Sequence, residues 1–348
     1  MRIVQFERPA AGRRVGVVVN EKVHDVTSVN SDWKRITDVF QNAQSSGKRI
    51  TEVLEEVLDT GQTVSFPYGE LLSASPDAGC AFLHPPVDSE DPRRILITGT
   101  GLTHLGSMEA RNEMHADIEQ TKEEDKSDSM RMFEMGLKGG KPKGERRGVA
   151  PEWFYKGNGT NLRGHRWSLE VPEFALDGGE EPEVVGCYVI DEKGNPCRLG
   201  FALGNEWADH ETEKINYLYL APSKLRQCSV GPELITDCEF QEIIIRCRIL
   251  RESEAVYDSG ELFTGEKHMS HSLANCEDHH FKYVQHRQPG DVHLHYFGTS
   301  KLSVGTRDGT FMDGDEVRID AEGFSGSLVN TICIASKKDD VPVAVKLG

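Results

Sequence analysis

Three acidic residues have the types and spacing to hold a cation. Glu181 and Glu183 stand two apart in EEPEVVGCYVI, and Glu206 closes the stretch LGFALGNE. In a strand, residues i and i+2 share a face, so Glu181 and Glu183 point one way while Pro182 and Val184 point the other. From Val184 onward the segment is apolar on both faces, which describes a strand running deep into the protein with the acidic pair at its mouth. The turn DEKGNP then leads into a second apolar stretch that delivers Glu206. Carboxylates crowded beside a core repel one another and raise each other's pKa unless a cation neutralises them. Oxygen ligands alone favour magnesium, manganese or calcium over zinc. Spacing by itself favours a plainer reading, in which Glu181 and Glu183 are solvated charge on a hairpin edge.

The wider composition narrows what such a site would serve. A formal net charge of -17 over 348 residues works against a nucleic-acid partner. The densest basic run, Lys138 to Arg147, is short and broken by Gly and Pro, as in a solvated loop. An acidic field also repels anionic substrates, and a bound cation would supply the missing local positive charge. Eight cysteines without a CxxC pair, and an opening MRIVQFERPAAGRR without an apolar leader, lead us to expect a cytoplasmic protein with reduced thiols. No run of about 18 apolar residues is present, so no membrane helix is expected.

The elements that must position the acids can be read in outline. Strands are expected at RIVQF and RVGVVV, then a helical stretch from about Asp32 to Leu58; together these make a small N-terminal module over residues 1–90. Arg94 to Ile97 reads as a buried strand, and the glycines of Thr98-Gly99-Thr100-Gly101 read as a loop where backbone comes close to something. Residues 107–148 are polar and compatible with a lid insertion, where Glu109, Glu113 and His115 could join a proton relay on closure. Beyond it lie the hairpin of Glu183–Ile190 and Arg198–Gly204, strands near 242–250, 291–297, 316–320 and 326–334, and one helix near 266–285. The expected fold class is mixed α/β and strand-rich, with the catalytic domain over 91–348.

The words around the acids change the balance for the cation site. EEPEVVGCYVID, GFALGNEWADHETEK, APSKLRQCSVGPEL, GDVHLHYFGTSKLSVG and DGDEVRIDAEGFSGSLVN occur in an order that resembles the fumarylacetoacetate hydrolase superfamily, over roughly Ile95 to Ile334. The resemblance implies a β-roll or β-sandwich catalytic domain, a homodimer, and magnesium or manganese held by Glu181, Glu183 and Glu206, with calcium a possible occupant. The third acid is usually Asp; Glu206 adds one methylene and lengthens the reach by about 1.5 Å. Lys224, ahead of Gly231-Pro232, matches a lysine that contacts substrate beside the metal. His104 matches a catalytic histidine, although its lead-in Gly101-Leu102-Thr103 departs from the family's. The loop Phe297-Gly298-Thr299 matches a substrate loop, with Gly298 and Thr299 at the substrate's carboxylate, but it is longer and lacks the family's proline.

An octahedral ion with three protein carboxylates keeps three positions for a bidentate 2-oxo acid and a water, so the substrate class implied is a small 2-oxo acid. The leading expectation is hydrolysis of a 2,4-dioxo acid of sugar-acid origin to pyruvate and a second acid. In that scheme Lys224 stabilises enolate charge and His104 activates water. A dehydratase of 2-keto-3-deoxy sugar acids, an oxaloacetate-type decarboxylase and a catalytically silent metal-binding member share the same parts. Seven of the thirteen histidines lie between His268 and His295, but without paired cysteines or HExxH spacing they do not read as zinc ligands. His293 and His295 share a strand face near the substrate loop and read as polar support; His210, four after Glu206, is placed near the site.

Overall fold

A computed structural model describes residues 1–106, 127–144, 146–304, 306–307, 309–336 and 342–348. The chain opens with a meander, β1 (Arg2–Arg8), β2 (Gly12–Val19) and β3 (Lys22–Asp25), joined by β4 (Val64–Pro67) after helices α1 (Ile36–Ser46) and α2 (Ile50–Asp59). The single helix expected over 32–58 is therefore two. Gly47 ends the first in the left-handed region at φ 69°, and Asp38 and Glu52 accept from the backbone N–H of Arg35 and Arg49 to start each. Helix α3 (Tyr68–Ser73), β5 (Phe82–His84) and β6 (Ile95–Gly101) follow.

Helix α4 (Asp128–Gly139) precedes β7 (Glu152–Asn158), β8 (Leu162–Arg163) and β9 (Leu169–Val171). The expected hairpin is β10 (Pro182–Ile190) and β11 (Pro196–Asn205). After it come α5 (His210–Ile215), α6 (Leu220–Lys224), β12 (Cys228–Ile235), β13 (Ile243–Arg251), β14 (Glu254–Asp258) and β15 (Leu262–Thr264). Helix α7 (Leu273–Phe281), β16 (Val292–Tyr296), β17 (Glu316–Ala321) and β18 (Leu328–Ile334) complete the chain. The helix expected over 266–285 shrinks to α7, whose N-cap Ser272 accepts from the N–H of Asn275.

Two sheets result among the described residues. The larger runs β4-β3-β2-β1-β12-β11-β10-β16-β6-β7, with β5 on β1 and β8 on β12; the smaller runs β14-β13-β17-β18-β9, with β15 on β13. Strand β1 pairs with β12 through Arg2↔Ile235 and Ile3↔Leu234, so the first ninety residues extend the same sheet that holds the hairpin. All nine residues of β10 are buried. One face packs Val185 and Leu294 with Ile36, Phe40 and Leu54 of the first helices. The other packs Val184, Phe201 and Leu203 with Ile245, Ile319 and Leu328 of the small sheet. Each such side chain contributes about 1.5–3 kcal/mol by leaving water, so the hairpin that carries the acids is anchored on both sides.

The loop expected at Thr98–Gly101 is instead the end of β6. Its glycines are there because β7 lies against them: a Cβ on Gly99 would meet Phe154 at 2.4 Å, and one on Gly101 would meet the Glu152 carboxylate at 1.9 Å. Glu109, Glu113 and His115 lie outside the described residues. Of the lid segment, α4 is described; its Phe133 packs on Leu102, and Gly140 O accepts from the N–H of Ser272.

Candidate metal centre and substrate cavity

The hairpin register brings the acids together. Pro182 pairs with Asn205 and Glu183 with Gly204, so Glu181 just before β10 and Glu206 just after β11 face each other across the strand ends. The N–H of Glu206 donates to Glu181 O at 3.0 Å, and that of Glu181 donates to Asn205 Oδ1 at 3.2 Å. Glu181, Glu183 and Glu206 each offer an oxygen such that all three lie within 4.8 Å of one another, and all three residues are buried.

Positive charge surrounds this group. Lys224, at the end of α6, donates to Glu181 and, at 2.6 Å, to Glu206 Oε2. Lys156 on β7 lies 2.7 Å from Glu206 Oε1 and donates to Trp207 O. His210 Nε2 is 3.0 Å from Glu181 Oε1, and the N–H of Gly298 donates to Glu183 Oε2 at 2.7 Å. Burial pushes the Glu183 carboxyl well above its ordinary range, and the neighbouring Glu206 and Glu181 push it further. Burial, then Glu181, raise Glu206 to about 7 against the pull of Lys156 and Lys224. Burial also acts against charge on Glu181, yet Lys224 and His210 outweigh it and hold this carboxyl below its ordinary value.

This charge pattern fits a hard divalent cation. Two ammonium groups serve three carboxylates: Glu206 is raised to about 7 even between both of them, and Glu183, which has no such ion pair among the described residues, is driven well toward neutrality. An octahedral ion with oxygens at about 2.1 Å spreads its ligands over about 3 to 4 Å, within the span observed. The donor set is oxygen only, which suits magnesium or manganese.

Above the acids lies a small cavity of about 30 Å³, lined by Glu181, Glu183, Lys224, Gly298 and Thr299 together with Phe154, His210 and Glu213. The Lys224 ammonium sits 5.0 Å from the centre of the Phe154 ring. Gly298 has φ +93°, and a Cβ there would meet Thr103 Oγ1 at 2.3 Å, so the turn that aims its N–H at Glu183 requires glycine. The acids, Lys224, Gly298 and Thr299 thus share one site.

His104 does not line that cavity. It lies between Thr103 Oγ1 and Thr264 Oγ1, each 3.0 Å from a ring nitrogen, and burial pushes it down to about 3, with His268 adding to the effect. It borders a second cavity of about 460 Å³, with Phe263, His268 and Lys301 on its walls. His293 and His295 face away from Glu183, against His280 and Phe281 of α7; His280 Nε2 is 2.9 Å from His293 Nδ1. Among the described residues no other group of three or more potential ligands comes together as the three glutamates do.

Lys156, Phe154 and Glu213 are site residues that the sequence reading overlooks. In EWFYKGN the inward face of β7 reads Glu152, Phe154, Lys156, and a lysine on a strand's buried face is a signal for a buried counter-charge. Without a recognised strand there, the alternation has no meaning.

No family model matches the chain, and no curated protein matches it. Solved structures do. The fold is shared over nearly the whole chain with solved structures 14–17% identical to it. A 2-keto-3-deoxy-D-arabinonate dehydratase complexed with magnesium and 2,5-dioxopentanoate aligns with TM-score 0.64 and 16% identity, covering 96% of this chain and 99% of that one. A maleylpyruvate hydrolase from Sphingobium sp. SYK-6, in complex with manganese and pyruvate, aligns with TM-score 0.56 and 15% identity, covering 97% and 100%. A 2-hydroxyhepta-2,4-diene-1,7-dioate isomerase from Mycobacterium marinum aligns with TM-score 0.55 and 15% identity, covering 96% and 98%. These likenesses establish the fold.

Proposed function

We propose that the chain is a metal-dependent enzyme acting on a small 2-oxo acid, and that it removes water from a 2-keto-3-deoxy sugar acid. One observation carries the reading: three buried carboxylates with oxygens within 4.8 Å sit beside a cavity that also receives Lys224, Gly298 and Thr299. A divalent cation held by Glu181, Glu183 and Glu206 would supply Lewis-acid stabilisation of the negative charge that gathers on the substrate's C2 oxygen. Lys224 adds a fixed positive charge at the same edge of the cavity, where low dielectric strengthens it. Thr299 on the cavity wall would take the substrate's carboxylate, beside the apolar side chains of Phe154 and Leu302. Glu213, 2% exposed on the same wall, would accept the proton from C3 and return it to the departing C4 hydroxyl, which leaves as water.

Elimination stands ahead of C–C hydrolysis because hydrolysis calls for an imidazole that activates water beside the substrate, and His104 borders the other cavity. Two dehydratase structures at TM-score 0.64 to 0.65 support the same order against 0.56 for the hydrolase. Hydrolysis of a 2,4-dioxo acid to pyruvate is the second reading. It is favoured by Leu302, which lines both cavities, so that the cavity bordered by His104 adjoins that of the acids. A homodimer belongs to the same proposal, with exposed Phe174, Ile215, Leu218 and Leu225 as apolar surface for it.

The test is incubation with magnesium and a panel of 2-keto-3-deoxy and 2,4-dioxo sugar acids. A 2,5-dioxo or unsaturated product supports elimination, and pyruvate supports hydrolysis. Turnover of none of them would defeat both. Under the first reading His104→Asn lowers kcat by less than about tenfold, whereas loss of a working general base costs about a hundredfold or more.

A further inference from the structure

Glu180 stands beside the first acid of the metal site, yet its side chain goes elsewhere. It is 1% exposed and accepts two hydrogen bonds from Ser303, from the backbone N–H at 2.9 Å and from the hydroxyl at 2.6 Å. Arg307 completes the cluster. Its Nη1 donates to Ser303 Oγ at 3.1 Å and lies 3.7 Å from Glu180 Oε2. Its Nη2 donates to both carboxylate oxygens of Asp177, at 2.9 and 2.8 Å, and to Gly178 O at 3.1 Å. The guanidinium also rests 4.5 Å from the centre of the Phe311 ring.

These contacts join two segments more than a hundred residues apart in sequence. One is the lead-in to β10, which presents Glu181 and Glu183. The other ends the loop that begins at Phe297 and carries Gly298, Thr299 and Leu302 along the cavity wall. The loop is thereby held at both ends by acids three residues apart, one in β10 and one in its lead-in: Glu183 holds its start through Gly298, and Glu180 holds its end through Ser303. Burying charge costs several kcal/mol per ion unless it is fully paired. A buried cluster of two carboxylates and one guanidinium is therefore a costly way to close a loop, and what it adds over an apolar contact is register, because the Arg307 fork and the Ser303 pair fit in one arrangement.

We propose that Glu180 is a positioning residue that sets the height of the Gly298–Leu302 loop over the carboxylates, so that the metal-ligand strand and the substrate loop behave as one unit. The inference rests on the 2-oxo-acid reading above. Glu180 touches neither metal nor substrate; its effect passes through Ser303 to Thr299 and Leu302, and so falls on substrate binding rather than on metal affinity.

The test uses the full chain with Glu180→Gln, Ser303→Ala and Ser303→Thr. Manganese affinity, pyruvate binding to the manganese-loaded protein, KM and kcat for the acid turned over by the wild type, and trypsin cleavage after Lys301 are measured. Glu180→Gln and Ser303→Ala are expected to weaken pyruvate binding and raise KM by about tenfold, with kcat and manganese affinity within about threefold. Cleavage after the exposed Lys301 should quicken in both, and Ser303→Thr, which keeps the hydroxyl, should restore the wild-type values. Unchanged pyruvate binding and cleavage, or a fall in kcat with KM intact, would overturn the proposal. If Glu180→Gln does not fold, Ser303→Ala decides, since it removes one hydroxyl and no charge. A wild type that binds neither manganese nor pyruvate defeats the functional reading instead, and the trypsin rates then decide whether Glu180 holds the loop.

Discussion

Two buried clusters of titratable groups sit on opposite faces of the β10–β16 pair, and they carry their charge in opposite ways. On the face of Glu183, the carboxylates meet Lys224, Lys156 and His210 and border a cavity. On the other face His280, His293 and His295 meet one another, Thr98, Trp153 and Phe281. No acid reaches the histidines as a counter-charge in the contacts among the described residues. Burial, and then the neighbouring imidazoles, push His293 and His295 down to about 3, and His280 well below its ordinary value. One cluster is built to hold charge and the other to stay neutral. Burial alone is therefore no mark of a functional site; the mark is burial together with counter-charges and an open volume.

The largest expected effect breaks the first cluster. Glu183→Gln is isosteric and removes one of three mutually repelling acids, so the metal-free protein should fold with unchanged or higher thermal stability. Metal-dependent turnover should fall by at least about a thousandfold, because a ligand and several kcal/mol of charge stabilisation are lost. Thermal unfolding of the metal-free variant and an activity assay with manganese check the two halves; full activity in this variant would remove the metal reading.

Next in size is Lys224→Met. Removing one partner of a buried ion pair costs about 3–5 kcal/mol, so the metal-free variant should unfold at lower denaturant than the wild type. Added manganese should recover more stability in the variant than in the wild type, since the cation takes over the neutralising role. Equal metal-induced stabilisation in both proteins would separate Lys224 from the carboxylate charge balance.

The smallest effect per residue belongs to the histidine cluster. In the folded state His293 and His295 titrate near 3, while in the unfolded chain they titrate near about 6.5. Between these values the unfolded state binds more protons, so stability is present above about 6.5 and is lost as the pH falls toward 3. At pH 5 the loss is on the order of 2 kcal/mol for each histidine. Urea unfolding at pH 7 and pH 5 measures it, and His295→Gln should flatten the dependence. A stability that rises on acidification would contradict a neutral cluster.

Much of the candidate site was legible through the family resemblance of the segments around the acids, and strand geometry, which is local, agreed with it. Two-residue spacing put Glu181 and Glu183 on one side, and the apolar hairpin with its turn placed Glu206 opposite them. What stayed hidden depended on strands with weak patterns: β7, which brings Lys156 and Phe154, and β12, where Pro232 and a buried Glu233 interrupt the apolar run. The glycines before His104 looked like a loop, although they serve strand packing against Phe154 and Glu152.

By itself the sequence determined the strand-rich character and the apolar hairpin, because alternation and turn chemistry act over a few residues, while the three acids were singled out as one site by the family resemblance of the segments around them. Only the tertiary structure decided which charges neutralise those acids, that His104 faces a different cavity, and that Glu180 reaches across to Ser303. Those outcomes depend on pairings between residues far apart in the chain, and burial makes each pairing energetically decisive while leaving no local pattern to read.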